Sequence, residues 1–413
     1  MIHIGTESAA LSAELNSLFF IMLIAVLAPL LVGLLRLKVA EVVILLGLGI
    51  LVGPEILDLV EVDASISLLA QLGLGFLFFF AGLELEPEAV KGRYGKLAAI
   101  GWGCTLLVAG IATWVLESMG HIENFIGFAI VLTSTALGTL LPVLRDSGEL
   151  KTPFGKFFMG AGAIGEFGPI LAISLFLSSM SSFESIISLV VMAIAAFVLA
   201  KVPQWLKTEK LGKLIGAGHY SSSQTPMRIT ILFLVGLLAI AASLGLDVVL
   251  GAFIAGVIFR LNMPHDAENV IHTKVEGIGF GFLIPIFFVV SGVNIDIISI
   301  IEDPAPMLVV TLLLLVARGL PQFFIYRNAI PVTRDRIRFS LYVATALPII
   351  VAVTTVQVEA GVMTSADAAT LVGAGALSVL VFPLTAYFVG RKGSPKGGRK
   401  GGRNTEPEVV DLI

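Results

Sequence analysis

The sequence predicts an all-α, polytopic membrane protein of about thirteen transmembrane helices, arranged as two inverted six-helix repeats. Three observations predict it. Of 413 residues, 57% are hydrophobic and only 14% charged, with a mean hydropathy of +0.99, which leaves too little polar surface for a soluble globule. The apolar residues are gathered into blocks of roughly 17 to 25 residues, the length that crosses a bilayer as a helix. Several segments of the first half also recur in the second half at an offset of about 210 residues.

Taken in order, the apolar blocks place spans at 15–35, 39–53, 66–83, 97–117, 123–141, 154–177 and 184–205, then at 229–245, 247–260, 276–293, 304–326, 338–357 and 367–390. Loop charge supports this count. One set of loops carries Arg36 and Lys38, Lys91 to Lys96, Arg145 to Lys156, Lys207 to Arg228, Arg260 to Lys274, Arg327 to Arg338 and the basic tail after Arg391. The alternate loops carry Glu55 to Asp63, Glu117, Glu184, Asp247, Asp296 to Asp303 and Glu359, with almost no lysine or arginine. By the positive-inside rule the N-terminus (1–14) lies outside and the C-terminus in the cytoplasm. Residues 1–35 do not read as a cleaved signal peptide, because the positive charges follow the apolar run.

The repeat pairs Gly75–Glu86 with Gly281–Asp296, so that Gly82 answers to Gly292; Thr133–Leu137 with Thr345–Pro348; and Gly160–Ile164 with Gly373–Leu377. Spans one to six thus correspond to spans eight to thirteen, and span seven joins them. An odd linking helix reverses the second copy in the membrane, the inverted topology of secondary transporters. The expected units are 15–205 (first repeat and linker helix), a cytoplasmic linker at 206–228, 229–390 (second repeat) and a flexible basic tail at 391–413.

Such repeats place a site near the bilayer midplane, where discontinuous helices meet. The fifth span carries Thr133, Ser134 and Thr135 in a row, followed by Gly138 and Pro142; its partner carries Thr345 and Pro348. Proline removes a backbone donor and crowds the preceding turn, so both helices are expected to kink or break. The freed carbonyls and hydroxyls are hard oxygen ligands for Na+ or K+. Glu166 stands alone in an apolar span, within Gly162–Pro169. A carboxylate in hydrocarbon has to be protonated, paired or bound to a cation, so Glu166 reads as a proton or monovalent-cation site. At about 1.5 Å per residue, Glu166, Thr133, Pro348 and the deep Arg318 each lie roughly 13–18 Å from the basic ends of their spans, at one common level. Arg318 needs a partner, either Glu166 or the broken-helix carbonyls, whether as an architectural bridge or as part of the site.

With these residues in hand, the chain resembles the monovalent cation/proton antiporters of the Kef and Nap type. The resemblance rests on Gly82-Leu83-Glu84-Leu85, Thr133–Ala136, the carboxylate of the sixth span, Phe287–Asp296 and Ala317-Arg318, in the same order over residues 15–390. It implies a sodium/proton antiporter-like fold with a scaffold bundle, a six-helix core containing two crossed broken helices, and elevator-like transport by a homodimer. It also implies the essential acid at Glu166, the breaks around Thr133–Ala136 and Thr345–Pro348, and the buried arginine at Arg318. Two departures stand out. The family usually has aspartate at the Glu166 position, preceded by a polar residue, where this chain has Gly165; and the tenth span lacks the lysine of electrogenic members. One titratable carboxylate makes electroneutral exchange of one proton for one cation the simplest expectation.

Other classes fare less well. A channel is expected to have a symmetric filter, and an intramembrane enzyme a nucleophile with its base or a metal cluster; neither pattern is present, so the chain is read as no enzyme, without cofactor. A cation- or proton-coupled symporter of an organic solute is the alternative. No Gly-x-Gly-x-x-Gly motif follows a strand, and the net charge of −4 gives no indication of nucleic acid. The tail reads as an anchor near anionic lipid, and His219, His265 and His272 as loop residues, either pH-sensing or merely solvated. The expected location is a prokaryotic cytoplasmic (inner) membrane, with lipid, a monovalent cation and the proton as partners.

Overall fold

In the computed structural model of the chain, residues 2–34, 40–85, 90–122, 124–146, 148–176, 182–205, 225–262 and 273–391 are described. His219, His265, His272, Glu86, the linker residues 206–224 and the tail after Arg391 lie outside them. The described residues form helices and connecting turns with no strand. The helices are α1 (Ile2–Leu34), α2 (Glu41–Val52), α3 (Ala64–Leu83), α4 (Gly92–Ser118), α5 (Phe125–Thr133), α6 (Leu137–Asp146), α7 (Pro153–Phe176) and α8 (Ser182–Trp205). There follow α9 (Thr225–Ser243), α10 (Val248–Asn262), α11 (Thr273–Val293), the short α12 (Ile297–Glu302), α13 (Ala305–Asn328), α14 (Thr333–Ala344), α15 (Pro348–Glu359) and α16 (Ser365–Arg391).

Eight described helices are long and apolar enough to span a membrane, and five shorter apolar helices bring the total to the expected thirteen. Boundaries shift by a few residues. The largest shift is at α1, which is already helical at Ile2 although its apolar stretch begins at Leu11. The outer surface is itself apolar: Phe19, Leu107, Phe197 and Leu232 are all exposed, as a chain dissolved in hydrocarbon requires.

The thirteen spans sort into two bundles. In the first, α3 packs on α10 and α11, α2 on α11 and α1, and α9 on α10. In the second, α4 packs on α5 and α7, and α14 on α13 and α16, with α15 against α16. Each bundle thus takes three spans from each repeat, and α8, the linking helix, leans on α10.

The first bundle is held by two close helix crossings. A Cβ on Gly82 would strike the backbone at Phe253, and one on Gly256 would strike the backbone at Phe79. A Cβ on Gly49 would likewise strike the backbone at Val289, and one on Gly292 the backbone at Leu46. Small residues let backbones approach in lipid, where dispersion replaces the hydrophobic effect as the cohesive force. The two crossings are images of each other: Gly82 answers to Gly292 in the repeat, so the α3–α10 contact maps onto the α11–α2 contact.

Filling either crossing forces the backbones apart. Gly82→Ala is expected to lower stability by about 1–3 kcal/mol, measured by thermal unfolding in detergent. Gly110→Ala, whose added methyl meets nothing within 4 Å, is expected to leave the midpoint unchanged or slightly raised.

Candidate functional site

Both predicted breaks are present. Helix α5 stops at Thr133, residues 134–136 are non-helical, and α6 starts at Leu137; α14 stops at Ala344, residues 345–347 are non-helical, and α15 starts at Pro348. The break therefore falls before the prolines. Pro142 lies inside α6, and Pro348 occupies the first turn of α15, where a missing N–H removes nothing the helix would have used.

The amides freed by the breaks are taken up at the crossing. Ala136 donates to the Thr345 carbonyl at 2.7 Å, and Thr135 donates through its amide to the Gly165 carbonyl at 3.0 Å. That carbonyl is available because Pro169 lies four residues on within α7 and has no N–H to give it. The Thr135 hydroxyl donates to the Val343 carbonyl at 2.7 Å. On the other side, Ala346 donates to the Ser378 hydroxyl at 3.1 Å. Two unwound segments are thereby stitched to one another and to the sixth and thirteenth spans.

Arg318 is fully buried beside this knot, in a π-helical turn at Leu315–Gly319 of α13. Its Nε donates to the Thr135 hydroxyl at 2.9 Å, and one terminal nitrogen donates to the Ala161 carbonyl at 2.8 Å. The other reaches the Thr105 hydroxyl at 3.4 Å, which Gln322 also reaches. Among the described residues no carboxylate pairs with Arg318. Neither partner the sequence offered holds it: in place of Glu166 or the broken-helix carbonyls, the guanidinium takes a broken-helix hydroxyl and a carbonyl of α7. The guanidinium lies near the C-terminal ends of α5 and α14, where the helix dipoles concentrate negative charge.

Glu166 is 4% exposed, one residue beyond the carbonyl that the break grips. Among the described residues nothing hydrogen-bonds to its carboxylate, and Glu84, at the end of α3, is the charged neighbour whose field reaches it. Beside it, Phe167 stacks on Phe253 of α10 with ring centroids 5.3 Å apart, so α7 meets the first bundle next to the acid. Thr133, Ser134 and Thr345 are buried, and their hydroxyls donate back to the carbonyls of Ile130, Val131 and Leu341. With the proton spent on its own helix, each oxygen has only lone pairs left to offer. Thr135 differs: its hydroxyl already donates once and accepts once, which makes it a strut of the crossing.

A cavity of about 320 Å³ lies between the bundles at the end marked by the acidic loops. It is lined by Ser67 and Gln71 of α3, Ser291 of α11 and Asn294 just after it, and Thr354 of α15, and extends to Val351 in the first turn after the break. Thr105, Gln322 and Ser378 are the site residues that sequence reading passed over. Gln322, one turn beyond Arg318, and Ser378, one turn beyond Gly375, were discoverable as lone polar residues in apolar spans. Among the described residues no group of three His, Cys, Asp or Glu is arranged to hold a metal.

The pattern of a family described as "Sodium/hydrogen exchanger, transmembrane" matches residues 22–392. The chain belongs to this family. The putative Na+/H+ antiporter YjbQ of Bacillus subtilis is 26% identical over 315 residues, 72% of this chain and 50% of that one. The chain thus spans half the length of that relative. The probable Na+/H+ antiporter 3 of Methanocaldococcus jannaschii is 25% identical over 65% of this chain and 69% of its own. The glutathione-regulated potassium-efflux protein KefC of Escherichia coli is 25% identical over 67% of this chain and 45% of its own. Among solved structures, the sodium proton antiporter MjNhaP1 of M. jannaschii at pH 8 superposes with a TM-score of 0.60 at 16% identity, covering 92% of this chain and 98% of that one. The fold is that of this antiporter, and the protein is a multi-pass member of the monovalent cation:proton antiporter family.

The two threonines of the break are predicted to behave differently. Thr135→Val removes an acceptor from a buried guanidinium and a donor from Val343, and is expected to cost about 1–3 kcal/mol. Thr133→Val loses only a bond to its own helix and is expected to cost much less. Thermal unfolding of both variants in the same detergent checks the difference.

Proposed function

We propose that the protein is a secondary active transporter that exchanges a monovalent cation, Na+ or K+, for protons, with Glu166 as the shared site. The observation that carries this is a buried carboxylate without a hydrogen-bond partner among the described residues, placed one residue from a broken-helix crossing whose buried hydroxyls have already donated their protons to their own helices and keep lone pairs to offer. A lone carboxylate in that setting needs a proton or a cation. Glu166 can hold one or the other, and that competition couples the two fluxes. Thr133, Ser134 and Thr345 supply further oxygens to the cation, whereas Arg318, Gly165 and Pro348 shape the crossing.

Exchange of one proton for one cation at a single carboxylate moves no net charge, so the exchange is electroneutral. Division of the spans into two bundles, with a cavity between them and α7 touching the first bundle beside Glu166, supports movement of the second bundle as the carrier against a scaffold. The protein works as a homodimer in a cytoplasmic membrane, N-terminus outside and C-terminus inside. Residues 1–14, 15–205, 206–228, 229–390 and 391–413 serve as outer segment, first repeat with linker helix, cytoplasmic linker, second repeat and lipid-facing tail. It is no enzyme; Na+ or K+ and the proton are its cargo. The relatives' names speak of cations, which favours this reading over an organic-solute symporter.

Reconstituted in liposomes with a pH-sensitive dye, the native chain is expected to move protons on addition of Na+ or K+, and Glu166→Gln to match empty liposomes. Flux in folded Glu166→Gln equal to native would overturn the assignment. The rate is expected to be unchanged under an imposed membrane potential of either sign; a rate that scales with potential would refute electroneutrality.

A further inference from the structure

The space beside Gly165 is occupied from outside its own helix. A Cβ built on Gly165 would run into a terminal nitrogen of Arg318, and would also lie 2.7 Å from the Thr135 hydroxyl and 3.0 Å from the Thr135 Cβ. The guanidinium that fills this slot is anchored on both sides of it, by Ala161 one turn earlier on α7 and by Thr135 in the break. The slot lies immediately before Glu166. A polar group reaches it from the eleventh span.

We propose that Gly165 and Arg318 form one unit in which a side chain at 165 and the guanidinium exclude each other: the absence of a side chain at 165 admits the guanidinium, and the guanidinium positions the middle of α7, around Glu166, against the broken helix. Arg318 is thus a positioning residue, acting through Thr135 and the α7 backbone, with no contact to the carboxylate itself. Fully buried, it holds its place only because each arm finds an oxygen; any β-carbon at 165 expels one arm from that set and leaves charge without a partner. Once the arginine is gone, the nearest of the two obstacles to a polar side chain at 165 is removed and Thr135 alone has to shift, by a few tenths of an ångström, so the relief in the pair is partial. The positioning role rests on the exchange reading of Glu166, whereas the exclusion between 165 and 318 does not.

The test is a double-substitution cycle on the full chain with Gly165→Asn, Arg318→Ala and the two combined, read by thermal unfolding in detergent and by cation-driven proton flux in liposomes. Each single substitution is expected to lower the melting temperature, and the pair to lower it by less than the sum. Flux is expected to fall at least about tenfold in Gly165→Asn through the maximal rate and the half-saturating cation concentration together, and to recover severalfold in the pair. Additive melting shifts, or Gly165→Asn as stable and active as native, would overturn the exclusion. Coupled melting with no recovery of flux would reduce Arg318 to a structural strut and overturn the positioning role. Should the native chain show no cation-driven flux, the exchange reading and the positioning role fall together, while the melting cycle still decides the exclusion. Arg318→Lys adds a second readout: one ammonium nitrogen replaces the three that reach Thr135, Thr105 and Ala161, so less than half the native flux is expected, with cation dependence altered.

Discussion

Hydrocarbon offers no partner to a backbone amide, so a helix can unwind inside the membrane only where other protein groups accept what it frees. At the crossing of the fifth and twelfth spans this condition is met group by group. Ala136 is received by Thr345 and the Thr135 amide by Gly165, while Ala346 is received by Ser378. The most telling of these depends on a proline in a third helix: Pro169 withholds a donor from Gly165, and the break supplies it. Glu166 is fixed in space by the same event, since the gripped carbonyl belongs to the residue before it. The acid, the break and the arginine are consequences of one packing problem, solved at one depth.

Charge follows from this geometry. Two half-helices end with their carbonyl ends toward the crossing, and Arg318 brings a permanent positive charge to them through Thr135. Burying a guanidinium costs several kcal/mol before its hydrogen bonds are counted. Three oxygen partners on three different elements, Thr105, Thr135 and Ala161, offset that cost. Because Glu166 is not among them, its carboxylate stays open to the proton or cation it is proposed to hold. An arginine locked to the acid would have held the carboxylate in one charge state and competed with the cation it is proposed to bind.

Much of this was legible in the sequence, for physical reasons. Span number and order were readable because hydropathy and loop charge are governed by the bilayer, whatever the helices later touch. The Glu166, Thr133–Thr135 and Thr345 positions stood out because polar residues in hydrocarbon are costly. The exact place of the breaks was less legible: Pro142 and Pro348 drew attention, yet the chain unwinds at Ser134 and Thr345, where the partners for freed amides happen to lie. The choice of partner for Arg318 was beyond one-dimensional reading, because Ala161 and Thr135 become neighbours only through the fold. Glycine at 165 looked like a deletion of chemistry in the sequence; in the structure its missing side chain is the space another residue fills. The close crossings at Gly82 and Gly292 were visible only as one glycine repeated in both halves, without any hint of which helices they would join.

Direct cation binding as a function of pH, measured calorimetrically on the detergent-solubilised protein, bears most closely on the claim that one carboxylate serves both ions. If Glu166 is shared, the apparent dissociation constant for the transported cation rises about tenfold for each unit of pH lowered below the site's titration, one proton is released per cation bound, and Glu166→Gln binds no cation. Affinity independent of pH, or undiminished binding in Glu166→Gln, would contradict the account.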